Sequence, residues 1–153
     1  MGSRFGSLRW WVPIGCAMLW ASSLALPAIA PRNGEVLTGF DALLRGWRAA
    51  EAGVYSWYAN PLFVLATIAS VFGRFRTAAV LAGLGLLLAL TSFAASALAR
   101  NSGIPAPELG FGPGFYLWLA AQTGLLLWCS TVLGLHDYGA AGNKFPLPGK
   151  NRD

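Results

Sequence analysis

Charge is scarce in this chain. Asp, Glu, Lys and Arg make up 11% of its 153 residues, where an ordinary soluble domain carries about 25%. So few charges cannot coat a water-soluble surface. With 56% hydrophobic residues and a mean hydropathy of +0.54, the composition also excludes a disordered chain. Cysteine is scarce too: Cys16 and Cys129 both sit in apolar runs and form no Cys-x-x-Cys pair, which excludes a disulfide scaffold and a zinc knuckle. The single histidine, His136, has no second histidine to share a metal with, so a metal site is not expected, and no cofactor motif is present. The formal charge is +5. Because the basic residues are scattered between apolar segments and form no patch, they are read as topology signals and not as a nucleic-acid surface.

What is present is a series of long apolar runs, and the expected fold is all-α: a polytopic membrane protein of four transmembrane helices in an antiparallel bundle. The first span is expected over 10–30, whose 21 residues rise about 31 Å, enough for a hydrocarbon core. Ala28-Ile29-Ala30 looks like a secretory cleavage site. However, Pro31 would follow the cut, and the apolar run exceeds a signal core, so the segment is read as a retained span.

The second span, 54–73, is the awkward one. From Pro61 to Gly73 it has 13 residues, or about 20 Å of helix, which is too short to cross alone. Either the helix begins near Val54 and kinks at Pro61, or residues 55–60 lie in the interface and Asn60 caps a helix starting at Pro61. The third span, 77–99, has no charge, and the fourth, 114–135, opens on Phe115, Tyr116 and Trp118 as interface anchors. These make one domain, 1–135, followed by a mobile cytoplasmic tail, 136–153.

Between the first two spans, Thr38-Gly39-Phe40-Asp41 has the spacing of a capping box, and a short amphipathic helix is expected over 38–52 in the first outer loop. Seven of the eleven basic residues fall on one side if both termini are cytoplasmic, and that orientation is expected in a bacterial inner membrane.

No Asp, Glu, Lys, Arg or His lies inside any expected span, which argues against a coupled transporter. The third span carries small residues at Ala78, Ala82, Gly85, Ala89, Ser92, Ser96 and Ala99, in alternating steps of four and three. Such a face lets helices approach closely in lipid. Asp41, Arg45, Arg48 and Asn60, with Glu35, Glu51 and Glu108, are the candidate outer-face polar site; solvated charges and an ordinary helix cap are the simpler reading. Gln122, Thr123, Ser130 and Thr131 are expected to bond neighbouring helices. Cys16 and Cys129 are expected at one depth on a shared seam between the first and fourth spans, unbonded.

The string Tyr55-Ser56-Trp57-Tyr58-Ala59-Asn60-Pro61-Leu62, the Arg74-Phe75-Arg76 turn and Gly112-Pro113-Gly114-Phe115-Tyr116-Leu117-Trp118-Leu119 are similar to those of small uncharacterised four-span bacterial inner-membrane proteins. The resemblance covers about residues 34–135. It implies a fold and a location, and it brings no activity and no catalytic residue. The expected partners are the lipid bilayer and another membrane protein or a second copy of the chain. The expected function is that of a small interaction protein: an accessory subunit, an assembly factor or an immunity-type protein. A small pore or exporter, including a holin-like one, is the alternative. A membrane enzyme built on the outer-face arginines and carboxylates and on His136 comes third.

Overall fold

The structure, a computed structural model, describes residues 3–31, 36–52, 54–101 and 109–142. Five α-helices and three short strands follow in chain order: α1 (Ser3–Leu24), β1 (Pro27–Pro31), β2 (Leu37–Thr38), α2 (Gly39–Arg45), α3 (Ala59–Val71), α4 (Phe75–Asn101), β3 (Leu109–Phe111) and α5 (Pro113–Gly142). Two 3-10 helices, Gly46–Ala52 and Ser56–Tyr58, join α2 to α3. The chain is therefore mostly helical. Two of its segments, Phe75–Phe93 in α4 and Pro113–Leu135 in α5, are long and apolar enough to cross a membrane, and Trp10–Leu24 in α1 is a shorter apolar stretch.

Helix α1 packs against α3 and α5, and α4 packs against the same two. The residues that meet inside are small or apolar: Cys16 from α1, Phe63 and Ala66 from α3, Ala78 and Ala82 from α4, and Ala121, Leu125 and Cys129 from α5 form one buried cluster. Both cysteines are free thiols in that cluster, as the depth argument anticipated. Of the small-residue face, Ala78, Ala82, Gly85 and Ala89 are buried and Ser92 is half-buried; the side chains of Ser96 and Ala99 lie outside the described residues. A Cβ on Gly85 would stand 3.2 Å from the Gln122 Oε1 and 3.5 Å from the Leu62 Cβ, so α4 comes close to both α3 and α5 at this point.

Four boundaries differ from the sequence reading. First, α1 stops at Leu24, six residues before the expected end of the first span. Pro27 offers no N–H and biases Leu26 away from helix. The Ser23 hydroxyl donates to the Trp20 carbonyl (2.6 Å), and 3-10-type bonds from Ala25 and Leu26 close the last turn.

Second, the residues that follow form a strand. The fold is not purely α-helical: β1 lies between β2 and β3 in a three-stranded antiparallel sheet, with Ile29 opposite Leu37 on one side and Phe111 on the other.

Third, Asn60 is not a helix cap. Helix α3 begins at Ala59, two residues before Pro61 and five after Val54, with Tyr58 at the cap position and no side-chain cap, and the preceding turn is 3-10. Pro61 falls in the first turn of α3, where its missing N–H is harmless. The amphipathic segment likewise divides, α-helical to Arg45 and 3-10 from Gly46 to Ala52.

Fourth, α5 continues through His136-Asp137-Tyr138 to Gly142, seven residues into what the sequence assigned to the tail. Residues 143–153 lie outside the described residues, as do Glu35 and Glu108.

The link between α3 and α4 is short. Gly73 takes a left-handed conformation (φ 75°), its N–H reaches the Ser70 carbonyl and the Arg74 N–H reaches that of Ala69. This paired pattern is a Schellman motif, which satisfies the last carbonyls of α3 and reverses the chain before Phe75.

Candidate functional site

At the end of the helices away from that turn, the polar side chains converge. Asn60, in the first turn of α3, accepts two indole N–H bonds on its Oδ1, from Trp20 of α1 (3.0 Å) and Trp118 of α5 (2.8 Å), and its Nδ2 donates to the Trp57 carbonyl (3.1 Å). Indole N–H groups only donate, so two of them facing one side chain require its carbonyl oxygen. One amide thus ties three helices together. The Trp57 indole turns the other way and donates to the Leu43 carbonyl (2.6 Å), anchoring α2 to the turn before α3.

Helix α2 and the sheet form a roof over this end. The capping box expected from the sequence holds the start of α2: the Asp41 N–H donates to the Thr38 Oγ1 (3.2 Å), and the Thr38 N–H and hydroxyl donate to the Asp41 Oδ2 (3.2 and 2.6 Å). The Gly39 N–H reaches back to the Leu26 carbonyl (2.9 Å), fixing α2 to the turn after α1. On the far side, the start of α5 approaches the same turn so closely that a Cβ on Gly114 would fall within 2.9 Å of the Ser23, Leu26 and Pro27 carbonyls. This is the physical role of the Gly112-Pro113-Gly114 string. Stacked Phe111 and Phe115 (4.1 Å), with Phe93 edge-on to both at 5.2 and 5.3 Å, make an aromatic wall between the sheet, α4 and α5.

Under the roof lies a cavity of about 430 Å³. That is the size of a small-molecule site, for which about 300–1,000 Å³ is usual. The cavity is open to its surroundings, so solvent or a ligand can occupy it. Its inner wall is apolar, with Ala28, Ile29, Leu43, Phe111 and Phe115.

Of the candidate polar residues, Asp41, Arg45 and Asn60 line this one cavity, and Arg48 does not; Arg48 is exposed, its guanidinium 5.3 Å from the Trp47 ring. Glu51 is exposed on the 3-10 helix and is not among the lining residues. Hydrogen bonds from the Thr38 hydroxyl and backbone, and after them the Arg45 charge, hold the Asp41 carboxyl below its ordinary range. A carboxyl held there is an anion at neutral pH and is poorly matched to general base work, which favours a pKa near the working pH. Arg45 acts on it through space: no ion pair joins Arg45 to any carboxylate among the described residues.

Along α5, Gln122 is fully buried and donates to the Ala59 carbonyl of α3 (3.2 Å), as a residue expected to bond a neighbouring helix should. Thr123 and Thr131 differ from that expectation; each donates to the carbonyl four residues back in its own helix. Among the described residues, no group of three or more His, Cys, Asp or Glu comes together in a way that would hold a metal ion.

The sequence reading placed residues 55–60 in the interface and offered Asn60 either as a member of an outer-face polar site or as an ordinary helix cap. It missed Trp20 and Trp118 as partners of Asn60 and missed the roof that Trp57 holds. The only available signal was the lone amide beside aromatic residues at the entry to an apolar run. No protein-family model, no curated protein and no solved structure matches the chain.

Proposed function

We propose that the chain is a small integral protein of the bacterial inner membrane that works by binding and not by catalysis, as an accessory subunit, assembly factor or immunity-type protein. In this reading α1, α3, α4 and α5 all cross, as an antiparallel bundle, with both termini cytoplasmic and the roofed end outside.

The observation that carries the reading is the outer surface of the helices. Large apolar side chains stand exposed on every one: Met18 on α1 (66%), Ile68 on α3 (47%), Val80 and Leu87 on α4 (62 and 63%) and Leu127 on α5 (63%). Contiguous apolar surface of this kind marks contact with lipid or with another protein. Helix α3 is the test case, because its 13 residues supply only about 20 Å. It exposes Val64, Leu65, Ile68 and Phe72 all the same, and the 3-10 turn before it adds about 6 Å. Trp57 and Tyr58 at one end and Arg74 and Arg76 at the other suit the two interfaces. The interior of the bundle is filled by Phe63, Gln122, Leu125 and Cys129, all buried, which favours a binding protein over a pore.

Alkaline carbonate washing of membranes should leave the chain in the pellet. Fusions to a periplasm-active phosphatase should be active after Glu51 and inactive after Arg76. Extraction by carbonate would defeat the membrane reading, and the opposite fusion pattern would reverse the orientation. Affinity purification in a mild detergent then reads the function itself: a stoichiometric membrane partner is expected. Ion flux through proteoliposomes holding the chain alone would replace this reading with the pore.

A further inference from the structure

We propose that the roofed cavity is a lipid site: it takes the apolar chain of an amphiphile and sets that molecule's anionic head on Arg45. The inference rests on the membrane reading above and names the ligand class that the roofed end would hold.

Three observations carry it. The first is that the Asn60 and Trp57 polar groups in the cavity wall are already hydrogen-bonded. The Asn60 carbonyl is taken by two indoles, its amide nitrogen reaches the Trp57 carbonyl, and the Trp57 N–H is held by Leu43. What the interior offers an occupant is ring faces and aliphatic surface. A polar ligand buried there would lose its water and find few partners, while an apolar chain loses nothing.

The second is the charge at the edge. Arg45 is exposed, lines the cavity and has no ion pair among the described residues. The nearby Asp41 carboxylate is occupied on Oδ2 by both Thr38 donors. The hydrogen-bond donors left to a ligand at this edge are those of the Arg45 guanidinium, which forms charge-assisted bonds with phosphate or carboxylate oxygens.

The third is position. The cavity lies at the level of the Trp20, Trp57 and Trp118 indoles, and Trp57 and Trp118 line it. Indoles favour the depth at which acyl chains give way to headgroups, so a lipid entering sideways would carry its head to the height of Arg45.

The test uses the full chain purified in a maltoside detergent and titrated with phosphatidylglycerol carrying brominated acyl chains, read by quenching of tryptophan fluorescence. Saturable quenching at one lipid per chain is expected. Arg45→Gln should weaken it about tenfold, the effect of losing one charge-assisted contact. Brominated phosphatidylcholine, with no net negative head, should bind the unaltered chain about tenfold more weakly. A brominated fatty acid that saturates the same site supports the proposal and places the anion requirement in the head, whatever lipid supplies it. Ala42→Phe, which puts a ring into the cavity from α2, should abolish quenching at an unchanged melting temperature; Ala42→Leu replaces it if the larger variant melts early.

Quenching that never saturates, or that is the same in all variants, identifies bulk lipid and overturns the proposal. Displacement of the lipid by inorganic phosphate alone overturns it too, since the chain would then contribute nothing. If the protein stays in carbonate-washed membranes but gives no saturable quenching, only this inference fails. If it leaves those membranes, the reading beneath it fails.

Discussion

The two ends of the molecule are built by different means. From the Gly73 turn up to about Gly85, the helices are held by many interchangeable contacts: alanines, glycine and thiols packed so closely that each position is constrained mainly in size. The roofed end depends on a few hydrogen bonds between particular atoms, and its key pairs lie 40 and 58 residues apart. Size constraints spread over a whole helix leave a periodic trace in the sequence. A single amide joined to two distant indoles leaves none. The first kind of construction tolerates exchange of similar residues, and the second does not.

That contrast is open to direct attack. Asn60→Leu should do the most damage. It keeps the volume but strands two indole N–H groups, each costing about 1–3 kcal/mol if left unpaired, so a loss of about 2–6 kcal/mol is expected in thermal or denaturant melting in detergent. A loss no larger than that of an exposed substitution would mean the indoles find water, and the roofed end would not depend on that amide.

Gly85→Leu attacks the other region. It drives a branched side chain into Gln122 and Leu62, an overpacking expected to cost about 1–3 kcal/mol. Leu87→Ile, on the exposed side of the same helix, should stay within about 0.5 kcal/mol. Equal effects at 85 and 87 would show that the small face is a compositional accident.

Thr38→Val removes the cap of α2 and should cost about 1 kcal/mol locally. Its signature is faster amide exchange in residues 39–45 with the melting of the long helices unchanged.

The smallest effect concerns pH. Because the folded state lowers the Asp41 pKa, this carboxylate stabilises the cap above its unfolded pKa of about 3.9, and that contribution is lost as pH falls through the lower folded value. Exchange protection of α2 should therefore be flat from about pH 5 to 8 and decline only below about pH 4, and Asp41→Asn should flatten that decline. A decline centred near neutrality would point to a different group.

How much could be read from the sequence follows the same division. The apolar runs gave α4 and α5 nearly complete, because a long uncharged stretch has few other ways to fold. The alternating steps of four and three from Ala78 to Ala89 marked positions that are now seen to be buried. Thr38 and Asp41 were legible because a capping box acts across three residues. The strands were not. Two to five residues, one strand bracketed by prolines, carry no alternation to detect. The end of α1 was placed six residues late because hydropathy continues through Pro27-Ala28-Ile29-Ala30, and apolar character does not separate a span from a buried strand. Arg45 and Arg48 were grouped by their proximity in sequence; in the fold Arg45 lines the cavity and Arg48 lies over Trp47.

The central strand has a consequence in time. Strand β1 receives β2 from the residues just after it, but its second neighbour, β3, begins at Leu109, roughly 78 residues past Pro31. At about 5–20 residues per second, synthesis leaves that edge open for about 4–16 s. An open edge of small apolar residues is a template for the wrong strand. Alternate residues of a strand bond at opposite edges, and the Gly112 N–H bonds the Ala28 carbonyl, so the edge that awaits β3 is that of Ala28 and Ala30. With only two such residues a passing chain finds no continuous ladder, and the shortness that makes the strand hard to recognise also limits its pairing before its proper neighbour has been made.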